Sequence, residues 1–232
     1  MSKKHFYLTL DTETVGTLEK PLVYDLSGAI HDRYGNIIET FSFIIYDIYK
    51  NKELMQSAYY ACKMPQYEKD LQSGKYKMVR FYTARNHVLN LIDKYDVKAV
   101  LAYNMRFDLN ALNNTLREIT NGKRKYFFPF SKNCELWCTW TMAKQLLKDK
   151  PRYKSWCKKY DYVSKNQQVK TSAEILYKWL TKNHAFLEEH TGLEDTLIEV
   201  NIFKYIVNQR KMRTIRKTYW KPKEDSEVTA TP

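Results

Sequence analysis

An α/β layered domain is predicted for this 232-residue chain by three observations. Strand-like runs open the sequence, apolar stripes at helical spacing follow, and a short continuous apolar run falls between two of those stripes. The chain length suits one compact core.

Residues 5–11 alternate into a first strand. The runs LVYDLSGAIHD and NIIETFSFII are separated by the turn-rich DRYGN and predict a β-hairpin, giving three neighbouring strands. Residues 47–80 are rich in Tyr and Lys without one period, and are expected to hold short helices and a mobile segment. Thr83 is placed to cap a helix over ARNHVLNLIDKY, where Ala84, Val88, Leu91, Ile92 and Tyr95 recur at helical spacing. VKAVLAY (97–103) reads as a buried strand. Leu109, Leu112, Leu116 and Ile119 then step by three and four, which is helical. GKRKYFFPF is a loop leading to an edge element. ELWCTWTMAKQLLK and SAEILYKWLTKN read as helices, and SWCKKYDY as a further helical turn. A last helix begins near Glu194, with Leu193, Leu197, Val200, Phe203 and Val207 as its apolar stripe. One domain over 1–217 is expected, followed by a disordered basic-to-acidic tail over 218–232.

The 44% apolar and 15% aromatic content fits a folded protein. No apolar run approaches the roughly 18–20 residues of a membrane span. The start MSKKHFYLTLDTET lacks the apolar core and cleavage site of a signal peptide, so a cytoplasmic location is expected. Cys62, Cys134, Cys138 and Cys157 are then reduced thiols. A zinc site on Cys134 and Cys138 would need two further ligands that no Cys/His pair supplies at ordinary spacing. The net charge of +13 favours a polyanionic partner, above all nucleic acid. No basic amphipathic helix with an aromatic insertion face points to a membrane.

Three segments carry candidate chemistry. In LTLDTET, Asp11 and Glu13 share one face of a strand, and two like charges there repel unless a cation lies between them. Taken alone, the pair also reads as a solvated strand end. In AVLAYNMRFDLNAL, a buried strand delivers Asn104, and Asp108 opens the next helix, where a carboxylate also simply favours the helix dipole. In EEHTGLEDTLIEV, His190 precedes the last helix and Asp195 lies in its first turn, again readable as a loop histidine and a helix-start acid. Together the three supply four carboxylates and one histidine. That is the inventory of a two-metal phosphodiesterase, in which hard Mg²⁺ or Mn²⁺ ions take oxygen ligands and a histidine near its working pKa moves a proton.

The ordered set resembles the DnaQ-like, or DEDDh, 3′–5′ exonucleases of the ribonuclease H-like superfamily, whose D-x-E, N-x-x-x-D and H-x-x-x-x-D patterns stand here as DTET, NMRFD and HTGLED. The resemblance spans residues 11 to 195. It implies a central mixed sheet of about five strands flanked by α-helices. It assigns Asp11, Glu13, Asp108 and Asp195 as ligands of two Mg²⁺ (or Mn²⁺) ions, with Asp11 bridging both, and His190 as general base. His184 is nearby, but only His190 has the five-residue offset to Asp195. Val15 departs from the family's usual Thr. Thr14, Gly16 and Phe107 flank the motifs as candidate contacts to a terminal nucleotide, although Phe107 equally suits the core. Tyr59, Tyr60 and Lys63, and the acid-free run from Lys204 to Lys223 with eight Lys/Arg, are further candidates for nucleic-acid contact. The long 47–80 segment resembles versions carried by bacteriophages. The implied activity is metal-dependent release of nucleoside 5′-monophosphates from single-stranded ends, with DNA favoured. The alternatives are trimming of short RNA and a non-catalytic nucleic-acid-binding protein on the same fold.

Overall fold

The computed structural model describes residues 5–58, 61–129, 134–209, 215 and 217–220. Tyr59, Tyr60, six of the seven cations of the basic run after Lys204 and residues 221–232 lie outside the described residues.

Seven strands form one mixed sheet: β1 (Phe6–Gly16), β2 (Pro21–Asp32), β3 (Ile37–Ile45), β4 (Lys77–Val79), β5 (Val97–Ala102), β6 (Glu135–Cys138) and β7 (Thr218–Trp220). Their order is β4-β3-β2-β1-β5-β6-β7. The first three are the expected neighbouring strands, here paired antiparallel, and β5 and β6 add in parallel. Two three-residue edge strands raise the expected five to seven. The segment expected to leave the fold at 218 instead pairs with β6 over Thr218–Trp220.

The helices are α1 (Tyr46–Tyr49), α2 (Lys52–Gln56), α3 (Met64–Ser73), α4 (Phe81–Lys94), α5 (Met105–Ile119), α6 (Thr139–Leu147), α7 (Pro151–Lys159), α8 (Ala173–Thr181) and α9 (Gly192–Val207). Three expectations are corrected. Helix α4 starts at Phe81 rather than after Thr83, because the Asp47 carboxylate accepts the Phe81 N–H at 2.8 Å and caps the helix from a distant segment. ELWC is a strand, not the start of a helix, since it pairs in parallel with Ala99–Ala102. The stripe of α9 is wider than read: Ile198, Ile202 and Ile206 are also buried, because α9 meets the sheet on one side and α6 and α8 on others.

Strand alternation divides the core. Leu8, Leu10, Val100 and Leu136 face α4 and α5, whereas Tyr7, Leu101 and Trp137 face α6 to α9. The second face sets the site. Along it run the directly opposed pairs Tyr7/His31, Thr9/Ala29, Asp11/Ser27 and Glu13/Asp25. At one end of this row the Phe203 ring of α9 packs on Tyr7 and His31, with centroids 4.9 and 5.5 Å away. At the other, the Gly192 N–H donates to Asp25 at 3.0 Å. Eleven helical residues rise roughly 16 Å and six strand residues roughly 20 Å, so α9 lies along the β1–β2 pair and carries its own acids over theirs.

His31 reports on this packing. Its Nδ1 faces the Asp32 carbonyl at 2.9 Å, an acceptor only, so Nδ1 carries the proton and Nε2 accepts from the Thr9 hydroxyl at 2.8 Å. Burial pushes its pKa down to about 4. The folded value lies below the unfolded one, so protonation favours unfolding. Between about pH 6.5 and 4, falling pH removes stability, by about 3 kcal/mol when complete. An NMR titration of the His31 ring is expected to show a midpoint near 4, and a midpoint at or above 6 refutes the buried neutral tautomer.

Candidate active site

The C-terminal half of β1 turns the row of the α9 face from apolar to acidic. Asp11 and Glu13 follow Tyr7 and Thr9 on that face, and Asp195 approaches from the first turn of α9. Asp11, Glu13 and Asp195 each offer a carboxylate oxygen within 4.8 Å of the others. Asp108 comes from the opposite side of β1. Thr12 points that way, and its hydroxyl donates to Asp108 Oδ1 at 2.8 Å. Asp11, Asp108 and Asp195 line one cleft of about 650 Å³. The four carboxylates read from the sequence therefore converge from three distant segments.

His190 lies beside this group. Its Nδ1 is 3.9 Å from Glu188 and 4.0 Å from Asp195, adjacent rather than hydrogen-bonded to either. Its backbone is left-handed, with φ of 54°, a conformation uncommon for a side chain with a Cβ. Burial holds its pKa below the usual histidine value. Phe107 is half-buried and lines the cleft. Thr14 and Gly16 continue β1 towards its turn, opposite Val23 and Pro21.

Three further acids belong to the site, and the sequence reading missed them. Glu188 and Glu199 line the same cleft. Glu199 is one turn beyond Asp195 on α9 and accepts the Tyr103 N–H at 3.0 Å, tying α9 to the end of β5 just before Asn104. Its i+4 spacing from Asp195 was a visible signal. Asp25 interrupts the apolar start of β2, the same oddity that singled out Asp11. Its carboxylate is fully buried and accepts from Ser27 Oγ and Tyr67 OH, each at 2.8 Å, besides Gly192 N–H. The next amide, Leu193 N–H, donates to Tyr76 OH at 3.1 Å. The first two amides of α9 are thus satisfied by the sheet side of the fold. A Cβ at residue 192 would sit 2.7 Å from Asp25 Oδ1, so only glycine allows this approach.

The electrostatics are one-sided. Among the described residues, no Lys or Arg lies within ion-pair distance of Asp11, Glu13, Asp25, Asp108 or Asp195. Burial, then the neighbouring Glu199, Asp108, Glu13 and Asp195, hold the Asp11 carboxyl well above the usual range. Burial and the opposed Asp25 do the same to Glu13. Asp108 is raised by burial, against the relief from Thr12, and Asp195 by burial and Glu188. Asp25 is pushed up to about 6 and Glu188 to about 7, both chiefly by burial. Asp195 Oδ1 is buried with no hydrogen-bond partner. An orphaned carboxylate oxygen amid other hard oxygen donors, with no protein cation to neutralise them, fits a divalent metal site.

No protein-family model matches the sequence, and no curated protein matches it. Solved structures do match its fold. The structure of E. coli exonuclease I in complex with a 5cy-dT13 oligonucleotide superposes with a TM-score of 0.59 at 17% identity, covering 91% of this chain and 42% of that one. Exonuclease I from Methylocaldum szegediense gives 0.56 at 16% identity, covering 89% and 41%. Cell-death related nuclease 4 gives 0.54 at 11% identity, covering 88% and 64%. The chain has the ribonuclease H-like fold of these nucleases. It spans less than half the length of the exonuclease I chains. These comparisons give no support to a bacteriophage origin. No helix among the described residues is long and apolar enough to cross a membrane.

The crowded carboxyls predict a pH-dependent stability. Their folded pKa values lie above the unfolded values near 4, so stability falls as pH rises from about 4 through the folded values, which run from about 6 for Asp25 and about 7 for Glu188 to about 8 for Asp195 and about 9 for Glu13. With chelator present, the melting temperature is expected to fall between pH 6.5 and 8.5. Millimolar Mn²⁺ should restore it, and Glu13→Gln/Asp195→Asn should flatten the slope. A flat profile in the unaltered protein refutes the one-sided charge of the site.

Proposed function

We propose that the chain is a metal-dependent 3′–5′ exonuclease that hydrolyses phosphodiester bonds at single-stranded ends, releasing nucleoside 5′-monophosphates. The observation that carries this reading is the convergence of Asp11, Glu13 and Asp195 within 4.8 Å, beside a cleft lined by Asp11, Asp108 and Asp195. The fold of known exonucleases supports it. DNA is the favoured polymer, since a similar exonuclease I is described with a deoxythymidine oligonucleotide.

Asp11, Glu13, Asp108 and Asp195 would hold two Mg²⁺ or Mn²⁺ ions. When bound, such ions neutralise charge on the attacking and leaving oxygens of an in-line phosphoryl displacement. The chain's own groups do the rest. Asp11 shares the Glu13 face of β1 and lines the cleft with Asp108, so it would help hold the ions alongside both. Thr12 fixes the rotamer of Asp108. His190, kept unprotonated at neutral pH by its lowered pKa, accepts the proton of the attacking water. Phe107 packs against the terminal base from the cleft wall. Thr14 and Gly16 lie where the backbone of β1 leads away from the acids, and the same reading assigns them to the terminal nucleotide.

A single-stranded oligonucleotide labelled at either end tests this. With Mg²⁺, the 3′ label is expected to leave first as a mononucleotide, and the 5′ label only from the last fragments. Asp11→Asn and Asp195→Asn should abolish cutting without unfolding. His190→Ala should slow it by about 10²–10⁴, and full rate in that variant removes His190 as the base. Absence of metal-dependent hydrolysis on both DNA and RNA strands would falsify the proposal.

A further inference from the structure

A strongly basic stretch of the chain, residues 144–182, borders the cleft. Residues 144–182 hold eleven Lys/Arg and three Asp/Glu, a net of +8, equal to that of the acid-free run from Lys204 to Lys223. Nine of those cations are exposed. Some of the acids are already spent: Lys154 faces Asp149 at 3.7 Å, and the nearly buried Lys178 pairs with Glu174 at 2.6 Å. Lys158, Lys159 and Lys165 have no ion-pair partner among the described residues.

This basic arm is joined to the cleft by a small hairpin. Val163 and Val169 bridge its two sides, and the Ser164 N–H donates to the Gln168 carbonyl at 2.8 Å. Ser164, Gln168 and Lys170 line the cleft that holds the acids, with Lys165 at the exposed tip. The hairpin root is held from within: Tyr153 OH donates to the Lys170 carbonyl at 2.6 Å, and Trp140 Nε1 to Thr171 Oγ1 at 3.1 Å. At the cleft mouth the Lys144 ammonium lies 4.0 Å over the Trp140 ring. On the outer side, Tyr162 packs on Trp156 with centroids 5.1 Å apart, and the exposed His184 stacks on Tyr160 at 3.8 Å. Lysines interleaved with partly exposed rings are the composition that holds an unpaired strand, through phosphate neutralisation and base stacking.

We propose that the face formed by residues 144–184 is the track along which an unpaired polynucleotide strand, several nucleotides behind its 3′ end, runs into the cleft. This rests on the nuclease reading for its direction, but not for its measurement. Phosphates lie along Lys158, Lys159, Lys165 and Lys170. Bases meet the rims of the Trp156–Tyr160–His184 stack. The acidic floor of the cleft repels a bare phosphate, so a basic track upstream supplies the attraction that the catalytic acids cannot.

The test is equilibrium binding of end-labelled 20-nucleotide oligothymidylate and oligouridylate by fluorescence anisotropy, with chelator present so that nothing is cut. Lys158→Glu/Lys159→Glu/Lys165→Glu is expected to bind both strands at least tenfold more weakly. The slope of log affinity against log salt should fall by about 2, since each lost single-strand phosphate contact is worth roughly 0.7. A control, Lys77→Glu/Lys98→Glu/Lys123→Glu, changes the net charge equally on exposed positions at the far sheet edge and at the ends of β5 and α5 away from the cleft. It should stay within twofold. Equal losses in the two variants, or no loss in the first, overturn the track. A duplex of the same length that binds as tightly as the single strand overturns its preference for unpaired bases. Because binding is read without cutting, failure here is separate from failure of the cleavage assay.

Discussion

The fold depends on one buried contact, the Gly192 amide donating to the Asp25 carboxylate. A buried carboxylate is costly unless its lone pairs are filled. Asp25 fills them with donors from three places: its own strand through Ser27, α3 through Tyr67, and α9 through Gly192. A hydrogen bond to a charged group contributes about 1.5–3 kcal/mol. Its structural value is larger than its energy, because it fixes where α9 begins. Asp195 and Glu199 then fall at set heights above Asp11 and Glu13. Phe203 on Tyr7 and His31 pins the other end of the same helix. With both ends held, the helix cannot slide along the strand pair without exposing one contact or the other.

Charge is partitioned as sharply as hydrophobicity. The chain is strongly basic, yet among the described residues no Lys or Arg pairs with the acids that floor its cleft. The two facts support each other physically. An anionic polymer is drawn to a basic surface at a distance of about a Debye length, roughly 10 Å. It is repelled at the floor unless counter-charge is present there. Separating the two regions along one wall lets attraction act on the length of a strand while the acids remain available to cations.

Much of this was legible in the sequence. The hairpin, the buried strand before Asn104 and the helices after it were readable from period alone. So were the acids that interrupt apolar runs, because an interruption is a local conflict that packing must explain. What escaped has a common cause. The Asp47 cap on α4, the parallel pairing of ELWC and the edge strand at Thr218 are all set by partners far along the chain, which a local period cannot show. Asp25 carried the same signal as Asp11, an acid that interrupts an apolar run, but without a neighbouring acid to make it stand out. Glu199 was hidden inside a helical stripe whose buried width was underestimated. The basic arm was diluted by reading charge over the whole chain instead of along it.

The opposition of Glu13 and Asp25 shows why these conflicts carry meaning. Like charges directly across an antiparallel pair are destabilising, and burial makes each harder to ionise. Replacing either by an amide or an apolar residue would relieve the pair at once. Asp25 has a structural task that keeps it charged or strongly hydrogen-bonded, namely the start of α9. Glu13 has no donor of that kind among the hydrogen bonds of the described residues, and its nearest companions are other acids. A carboxylate held beside a structural carboxylate, with no Lys or Arg paired to it among the described residues, is favourable only when positive charge comes from outside. The stability cost of Glu13 is therefore the feature of β1 that most directly supports the proposed metal site.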